Sequence, residues 1–178
     1  LCRLGFETVG DNEWPNHVGI FTVPVQVAVM TNIPLLIWGE NSQQEYGSPS
    51  EASANSRILD KSWLHEFGGL LGLRPDDVIQ MSKLTREDMA PYLYPTDEDM
   101  ARVGVRGVYL GYYFFWDARR HVDLMRLNGF EVSQKPIPGT YEKYENLDCD
   151  STVWHDYLKF VKYGFGRATD HACTDIRN

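Results

Sequence analysis

The sequence has few cysteines, an excess of acids over basic residues, and no long apolar run. Its 178 residues include three cysteines, Cys2, Cys149 and Cys173, whose odd number and wide spacing argue against a disulfide framework. This usage favours a reducing cytoplasm. No run reaches the roughly 18 apolar residues that a membrane-spanning helix needs, so we expect no membrane segment. Internal repeats and low-complexity tracts are also absent from the sequence.

The charge balance is acidic. Lysine and arginine total 17 and aspartate and glutamate total 25, which gives a net charge of −8. This charge argues against broad binding to nucleic acids or anionic membranes. A nucleotide ligand remains possible, because Mg²⁺ and a few local arginines can offset the repulsion. The hydrophobic content of 43% and aromatic content of 13% are typical of a globular domain.

A short apolar run from Ile33 to Trp38 stops at Gly39, and acids and amides follow at once. This order is typical of a buried parallel strand that delivers a polar loop to the carboxyl edge of an α/β sheet, where ligands of such folds bind. Glu40 and Glu45 are candidate Mg²⁺ ligands, and the loop amides, Asn41 among them, can bind a nucleotide. The alternative is a solvated loop that caps the next helix.

Most of the remaining patterns predict helices. Thr22 is the expected cap of a helix with Pro24 in its first turn, which Asn32 ends and which feeds the strand at Ile33–Trp38. We expect a second strand at Val105–Tyr113 and an irregular connection at Ser133–Tyr144. Four further helices are expected at Arg57–Phe67, Pro75–Ser82, Asp97–Val103 and Asp117–Asn128, and a last one runs from Ser151 to about Tyr163 with Trp154, Leu158 and Val161 on one face. The front third is therefore α/β and the rest mostly helical.

Asp117, Arg119 and Arg120 follow the aromatic run Tyr112–Trp116. Arginine suits a diphosphate because its planar guanidinium binds two oxygens at once. The alternative is a helix start with an aspartate cap and two solvated arginines. The aromatic side chains themselves are expected to belong to the core.

Arg167, Asp170 and His171 lie at helical spacing and share one face. Such a face can bind phosphate and move a proton, since histidine titrates near neutrality. The alternative is a structural cluster of salt bridges.

Two further histidine arrangements carry less information. A zinc site can be drawn from Cys149, His155, His171 and Cys173, but their spacing matches no usual structural zinc pattern. His17 precedes the helix expected at Thr22 and is either a ligand-facing residue or a hydrogen-bonded scaffold residue.

Four runs together resemble the N-acetyl sugar amidotransferases, a family of PP-loop ATPases in surface-polysaccharide and nonulosonic-acid synthesis. The runs are His17–Gln26, Ile37–Asn41, Gly111–Asp117 and Tyr163–His171. The resemblance extends over essentially the whole chain. It implies an α/β fold with a partial PP-loop ATPase sheet, of the adenine-nucleotide hydrolase-like kind. Residues 1–50 would be the C-terminal part of the nucleotide-binding domain, and residues 51–178 a mostly helical substrate or partner region that returns to the active site.

The resemblance also implies a reaction. Enzymes of this family activate the carbonyl of a sugar N-acetyl group with ATP and Mg²⁺, and ammonia from a partner glutaminase then leaves an acetamidino group. The expected substrate is a nucleotide-linked N-acetyl sugar of lipopolysaccharide or pseudaminic acid biosynthesis in a bacterial cytoplasm. Positioning two substrates, neutralising phosphates and excluding water are the tasks of the protein.

The family pattern assigns residues to these tasks. Gly39, Glu40, Asn41 and Glu45 correspond to the later nucleotide-site loop of PP-loop enzymes. His17 falls near a cysteine of related sulfur-transfer enzymes and is a candidate catalytic residue. Asp170 and His171 are the other catalytic candidates, and the substrate-binding candidates are Asp117, Arg119, Arg120 and Arg167.

One family feature is absent from the sequence. The Ser-Gly-Gly-x-Asp-Ser pyrophosphate loop does not occur in it. We therefore expect the chain to be the C-terminal portion of the enzyme and to be inactive in isolation. The alternative function is a non-catalytic docking module for a glutaminase or another partner, with the aromatics of Tyr109–Trp116 as a partner surface.

Overall fold

The computed structural model describes residues 1–39 and 72–177. Over these residues the helices and strands, numbered in chain order, are α1 (Cys2–Val9), α2 (Trp14–Thr31), β1 (Leu35–Trp38), α3 (Pro75–Met81), α4 (Asp97–Val103), β2 (Arg106–Tyr109), α5 (Ala118–Arg126), α6 (Ser151–Tyr163) and α7 (Arg167–Arg177). Short 3₁₀ turns lie at Ala90–Tyr92 and Leu110–Tyr112. The helix expected at Arg57–Phe67 lies outside the described residues.

The chain divides into two compact units. The first contains Leu1–Val9 and Trp14–Phe115, and the second contains Gly10–Glu13 and Trp116–Asn178. The first unit has its core where α2 meets the segment around α3. The buried side chains there are Trp14, Val18, Leu73, Val78 and Met89.

Helix α2 begins at Trp14, so the expected start at Thr22 is wrong. The Thr22 side chain is buried, and its hydroxyl lies 2.9 Å from the Val18 carbonyl oxygen and 2.7 Å from that of Pro91. It therefore does not cap a helix start. Pro24 lies inside the helix, where it costs one backbone hydrogen bond. The packing of Trp14 and Val18 into the core stabilises the helix across this break.

The expected end of α2 at Asn32 is confirmed. Asn32 has a positive φ of 54°, and the Ile33 N–H donates to the Ala28 carbonyl at 2.9 Å. This six-to-one bond satisfies one of the terminal carbonyls of the helix. The chain then leads directly into β1.

The described sheet has two strands, β1 and β2, which pair in parallel with Leu35 opposite Arg106 and Trp38 opposite Tyr109. The parallel direction agrees with the sequence analysis, although both strands are shorter than expected. β2 stops at Tyr109 because the chain turns into the 3₁₀ segment. The expectation that β1 is buried is wrong: Ile37 is 62% exposed, and Trp38 on the opposite face packs on Phe21 with ring centroids 5.6 Å apart.

Capping residues define both ends of α4 and the start of α5. At α4 the Thr96 hydroxyl accepts the Asp99 N–H at 3.1 Å, and Gly104 ends the helix with φ 69°. At α5 the Asp117 carboxylate accepts the Arg120 N–H at 3.1 Å. The predicted bounds of α4 are confirmed, and those of α5 agree to within two residues at its end.

Two apolar predictions are wrong. The side chains of Tyr112 to Trp116 are 54% to 76% exposed and do not belong to a core. On α6 the residues expected to face inward, Trp154 and Val161, are exposed, whereas Asp156 is the buried residue of the helix. The reason is an ion pair, described below, that holds Asp156 inside the second unit. Of the described helices, none combines the length and apolar character that a bilayer crossing demands.

Candidate functional site

The second unit contains a network of charged groups that links α6, α7 and the irregular segment before α6. Arg167 is the first residue of α7, and three residues that begin with the turn at Gly164 separate it from the end of α6. Its guanidinium binds both carboxylate oxygens of Asp156, with Nε–Oδ2 and Nη2–Oδ1 distances of 2.8 and 3.0 Å. The Asp156 side chain is only 8% exposed. This bidentate geometry is the one that guanidinium and carboxylate groups prefer.

Glu145 links the Arg167–Asp156 ion pair to His171. Its Oε2 atom lies 3.3 Å from Arg167 Nη1, and its Oε1 atom lies 2.9 Å from His171 Nε2. Burial lowers the pKa of the Arg167 guanidinium, but the hydrogen bonds and charges of Asp156 and Glu145 outweigh this and hold the pKa above its ordinary value. Arg167 is therefore a permanent cation neutralised by two carboxylates.

The second ring nitrogen of His171 also has a partner. Nδ1 lies 3.3 Å from the Thr140 hydroxyl oxygen, and the ring of Tyr141 meets the imidazole edge to face at 5.4 Å. The imidazole is thus fixed on both nitrogens and on one face. Asp170, by contrast, points to Lys159, with an Nζ–Oδ2 distance of 2.6 Å. The structure therefore brings Arg167 and His171 together through Glu145 and pairs Asp170 separately.

Arg119 forms a neighbouring part of the same network. Its Nη2 atom lies 2.9 Å from Asp175 Oδ2 and 3.1 Å from Glu142 Oε1. The hydrogen bond to Glu142 and the charge of Asp175 raise the pKa of Arg119. The Tyr141 hydroxyl donates to Asp175 at 2.8 Å. Burial and this hydrogen bond raise the pKa of Tyr141.

Among the ionisable groups of this network, Tyr144 has the most strongly shifted pKa. Burial, followed by the charges of Glu142 and Glu145, raises its pKa to about 12. The phenol therefore remains neutral throughout the physiological range and can only donate or accept a hydrogen bond there.

Asp117 acts as a helix cap, as the alternative in the sequence analysis held, and its backbone partner is Arg120. The Arg119 side chain is 61% exposed and reaches solvent despite its two carboxylate partners. Arg119 and Arg120 are both exposed, so either guanidinium is accessible to an anionic ligand.

The remaining candidates belong to the first unit or to the undescribed segment. His17 lies in the first turns of α2, not before the helix, and is half-buried. Gly39 follows β1 and is exposed, and no atom of residues 1–39 and 72–177 lies within 4 Å of a Cβ built on it. Glu40, Asn41 and Glu45 lie outside the described residues.

Three of the four residues of the drawn zinc site have separate side-chain partners. Cys149 Sγ lies 2.9 Å from the Ser151 hydroxyl, His155 Nδ1 lies 3.1 Å from Asp11 Oδ1, and His171 binds Glu145. Cys173 is exposed. Within residues 1–39 and 72–177 these four do not form a metal-binding group.

Sequence reasoning missed the acidic partners. Glu142 lies in the segment predicted to be an irregular connection, and Glu145 follows it directly. Asp156 lies within a helix that was predicted from its apolar face. One signal was present: Tyr141-Glu142-Lys143-Tyr144-Glu145 alternates aromatic and charged residues just before the helix. The partners of these acids lie 11 to 26 residues further along or 23 residues earlier, so spacing could not identify them.

Residues 138–178 match the family described as LPS biosynthesis protein WbpG-like, C-terminal domain. No curated protein matches the chain. The matched stretch contains α6, α7 and the segment from Thr140 to Glu145, and therefore most of the polar network. This similarity supports the link to lipopolysaccharide biosynthesis at a coarse level.

Proposed function

We propose that the chain is part of an ATP-dependent amidotransferase of lipopolysaccharide biosynthesis. It converts a sugar N-acetyl group to an acetamidino group, with ammonia from a partner glutaminase, and it works in the bacterial cytoplasm. The observation that carries this proposal is the match at residues 138–178, because the matched stretch contains Glu145 with its two partners, Arg167 and His171.

The proposed chemistry explains why such a network is useful. An amide carbonyl resists ammonia, whereas attachment of adenylate turns its oxygen into a leaving group. The protein must then hold anionic substrates and accept a proton at a fixed place. Arg119 is exposed enough to contact a phosphate, and His171 is held rigidly enough to take a proton in one geometry.

ATP and Mg²⁺ belong at the carboxyl end of β1 in this proposal. Gly39 is exposed at this end of β1, and no atom of the described residues lies within 4 Å of the position a Cβ would take, so a nucleotide has room to approach the backbone. The carboxylates of Glu40 and Glu45 are ligands of the kind that Mg²⁺ prefers. ATP supplies the adenylate that activates the carbonyl, and Mg²⁺ offsets the charge of its phosphates.

The direct test is a reaction with the full-length protein. ATP, Mg²⁺, ammonium and a set of nucleotide-linked N-acetyl sugars are mixed with it, and products are separated by mass spectrometry. We expect an amidine and AMP in equal amounts. ADP as the nucleotide product, or no amidine with any sugar, would contradict the proposal.

A docking module is the second candidate, and one observation favours it. The residues Tyr112 to Phe115 are at least 54% exposed. A contiguous group of exposed aromatic side chains is typical of a protein-interaction surface. A purified glutaminase is the partner this candidate requires. Tight binding of glutaminase that is lost in Phe114→Ser and Phe115→Ser, together with no heat of MgATP binding by calorimetry, would favour docking over catalysis.

A further inference from the structure

Thr140, His171 and Glu145 form a continuous row of hydrogen-bonded groups in the second unit. Glu145 Oε1 lies 2.9 Å from His171 Nε2, and His171 Nδ1 lies 3.3 Å from Thr140 Oγ1. All three residues are partly buried. A hydroxyl, an imidazole and a carboxylate in this order can pass a proton along one line.

The partners decide which imidazole nitrogen carries the proton. An ionised carboxylate can only accept a hydrogen bond, so the group facing Glu145 must be an Nε2–H donor. Thr140 Oγ1 already accepts the Glu142 N–H at 3.0 Å, which leaves its own O–H to donate. Nδ1 is then the acceptor, with its lone pair aimed at the Thr140 hydroxyl.

The other neighbours stabilise this arrangement. Glu145 is itself held by Arg167, at an Nη1–Oε2 distance of 3.3 Å, so the carboxylate cannot rotate freely away from the ring. The aromatic ring of Tyr141 packs against the imidazole at 80° and 5.4 Å. The charged and titratable groups that face the His171 ring are therefore Glu145 and Tyr141, with Arg167 acting through Glu145.

We propose that Thr140, His171 and Glu145 are a proton-transfer chain, in which Thr140 is the end that meets substrate and Glu145 is a positioning residue that fixes the His171 tautomer. This inference rests on the proposed function and deepens it. It adds two residues, Thr140 and Glu145, to the candidate site.

In the proposed reaction, Thr140 and His171 remove one proton from the attacking nitrogen. The nitrogen of ammonia bonds to the activated acetamido carbon, the bond from that carbon to the adenylate oxygen breaks, and one proton must leave the nitrogen. That proton passes to the Thr140 oxygen while the Thr140 proton passes to His171 Nδ1. The imidazolium so formed lies against the Glu145 carboxylate and later returns its proton to water.

The tautomer is measured directly by long-range ¹H–¹⁵N correlation spectra of the imidazole in the intact chain. We expect wild type at neutral pH to show Nε2 protonated and Nδ1 unprotonated. Glu145→Gln keeps the size of the side chain but can both donate and accept, so the Nδ1-protonated form should become populated. Glu131→Gln, an exposed acid of the same unit, is the control and should leave the spectrum unchanged. A wild-type ring protonated at Nδ1, or an unchanged tautomer in Glu145→Gln, would overturn the positioning role.

The turnover of the full-length protein tests the Thr140 end of the proton-transfer chain. Thr140→Val replaces the hydroxyl by a methyl group and should lower kcat by about a hundredfold or more, within the range of general acid–base effects. Thr140→Ser should restore most of the rate. Thr174→Val is the matched control, because within the described part of the chain the Thr174 hydroxyl donates to a backbone carbonyl one turn away, that of Asp170, and to no other group. Full turnover in Thr140→Val would exclude Thr140 from the proton-transfer chain.

The turnover and tautomer measurements distinguish failure of the proposed function from failure of the proton-transfer chain. If wild type forms no amidine with any sugar, the proposed function is wrong, and the tautomer spectra still decide whether Glu145 positions His171. If amidine forms but the spectra show the other tautomer, the proposed function stands and the proton-transfer chain is wrong.

Discussion

Asp156 is a buried acid whose ion pair with Arg167 joins α6 to α7 in the second unit. Its carboxylate has almost no solvent exposure and depends on Arg167 for two hydrogen bonds and on Asn146 for a third at 3.3 Å. A buried carboxylate without a counter-charge is costly, because water no longer solvates it. The ion pair is therefore a condition for α6 and α7 to fold together in this unit.

Arg167→Met should destabilise the chain by on the order of 3 kcal/mol, because it leaves Asp156 and Glu145 as two close acids without their cation. Urea unfolding followed by circular dichroism measures the change. Arg86→Met is the control: Arg86 pairs with Asp76 at 2.9 Å on the surface, with both side chains exposed, and should unfold close to wild type. Equal stability of the two variants would mean that the Arg167 pair contributes little.

The raised pKa of Tyr144 predicts a loss of folding stability at alkaline pH. Its pKa is about 12 in the folded chain against an ordinary value of 10.0, so the folded state holds the phenol proton more tightly than the unfolded state does. The resulting stability is fully present below pH 10 and is lost as pH rises towards 12. Urea unfolding at a series of pH values should show this loss, and Tyr144→Phe should reduce it. Tyr157→Phe, at an exposed position of α6, should keep the wild-type profile; a Tyr144→Phe profile identical to it would contradict the assignment.

Glu40 and Glu45 carry the metal hypothesis. Replacing either by Gln in the full-length protein keeps its size and removes its charge. We expect turnover to fall by on the order of 10²–10³, since a lost electrostatic contact to the transition state costs roughly 2–4 kcal/mol. The loss should be largest at limiting Mg²⁺. Glu131→Gln serves as the control, and full turnover of both loop variants, or a loss explained by unfolding in circular dichroism, would exclude the carboxylates as Mg²⁺ ligands.

Among the elements, α4 shows the strongest agreement between sequence and structure. Its bounds follow from residues within the helix and its two caps: Thr96 closes the start, and Gly104 closes the end with a left-handed backbone. No distant contact is needed to define these ends. Short-range capping chemistry of this kind is visible in a single sequence.

Gly104→Ala should destabilise the first unit by about 1 kcal/mol, because a side chain at a φ of 69° is strained even though no atom lies within 4 Å of the new Cβ. Gly111→Ala is a matched control in the same unit. It also has open space around the new Cβ but no positive φ, so we expect a change within about 0.5 kcal/mol. Equal losses in urea unfolding for both variants would show that backbone conformation is not the cause.

Helix α2 and helix α6 show where sequence reasoning failed. Thr22 has the chemistry of a cap, yet its hydroxyl lies 2.7 Å from the carbonyl oxygen of Pro91, which is 69 residues away. Trp154 and Val161 have the spacing of an inward face, yet Arg167 draws Asp156 inward instead. In both cases a contact with a residue distant in the sequence outweighs a local preference. The same is true of the site: the shared face of Arg167 and His171 was predictable, but their common partner Glu145 was not.

The whole molecule carries a net charge of −8, and this sets how it should meet an anionic ligand. The field of the chain repels a phosphate-bearing substrate until the two are close enough for local arginines such as Arg119 to act. The Debye length falls from about 30 Å at 0.01 M salt to about 8 Å at 0.15 M, so added salt weakens the long-range repulsion more than the short-range attraction.

Binding of MgATP by the full-length protein should therefore change little or tighten as NaCl rises from 10 to ~150 mM, provided that the remainder of the protein is not strongly basic. Random-sequence duplex DNA should not bind at either salt concentration, because too few cations are available to displace its counterions. Calorimetry at fixed Mg²⁺ measures the first expectation and fluorescence anisotropy the second. A basic protein of known DNA affinity serves as the positive control for the DNA assay. MgATP affinity that falls steeply with salt would show that a local cluster of arginines dominates the field of the whole chain, and Arg119→Gln would then be the variant that tests which cluster it is.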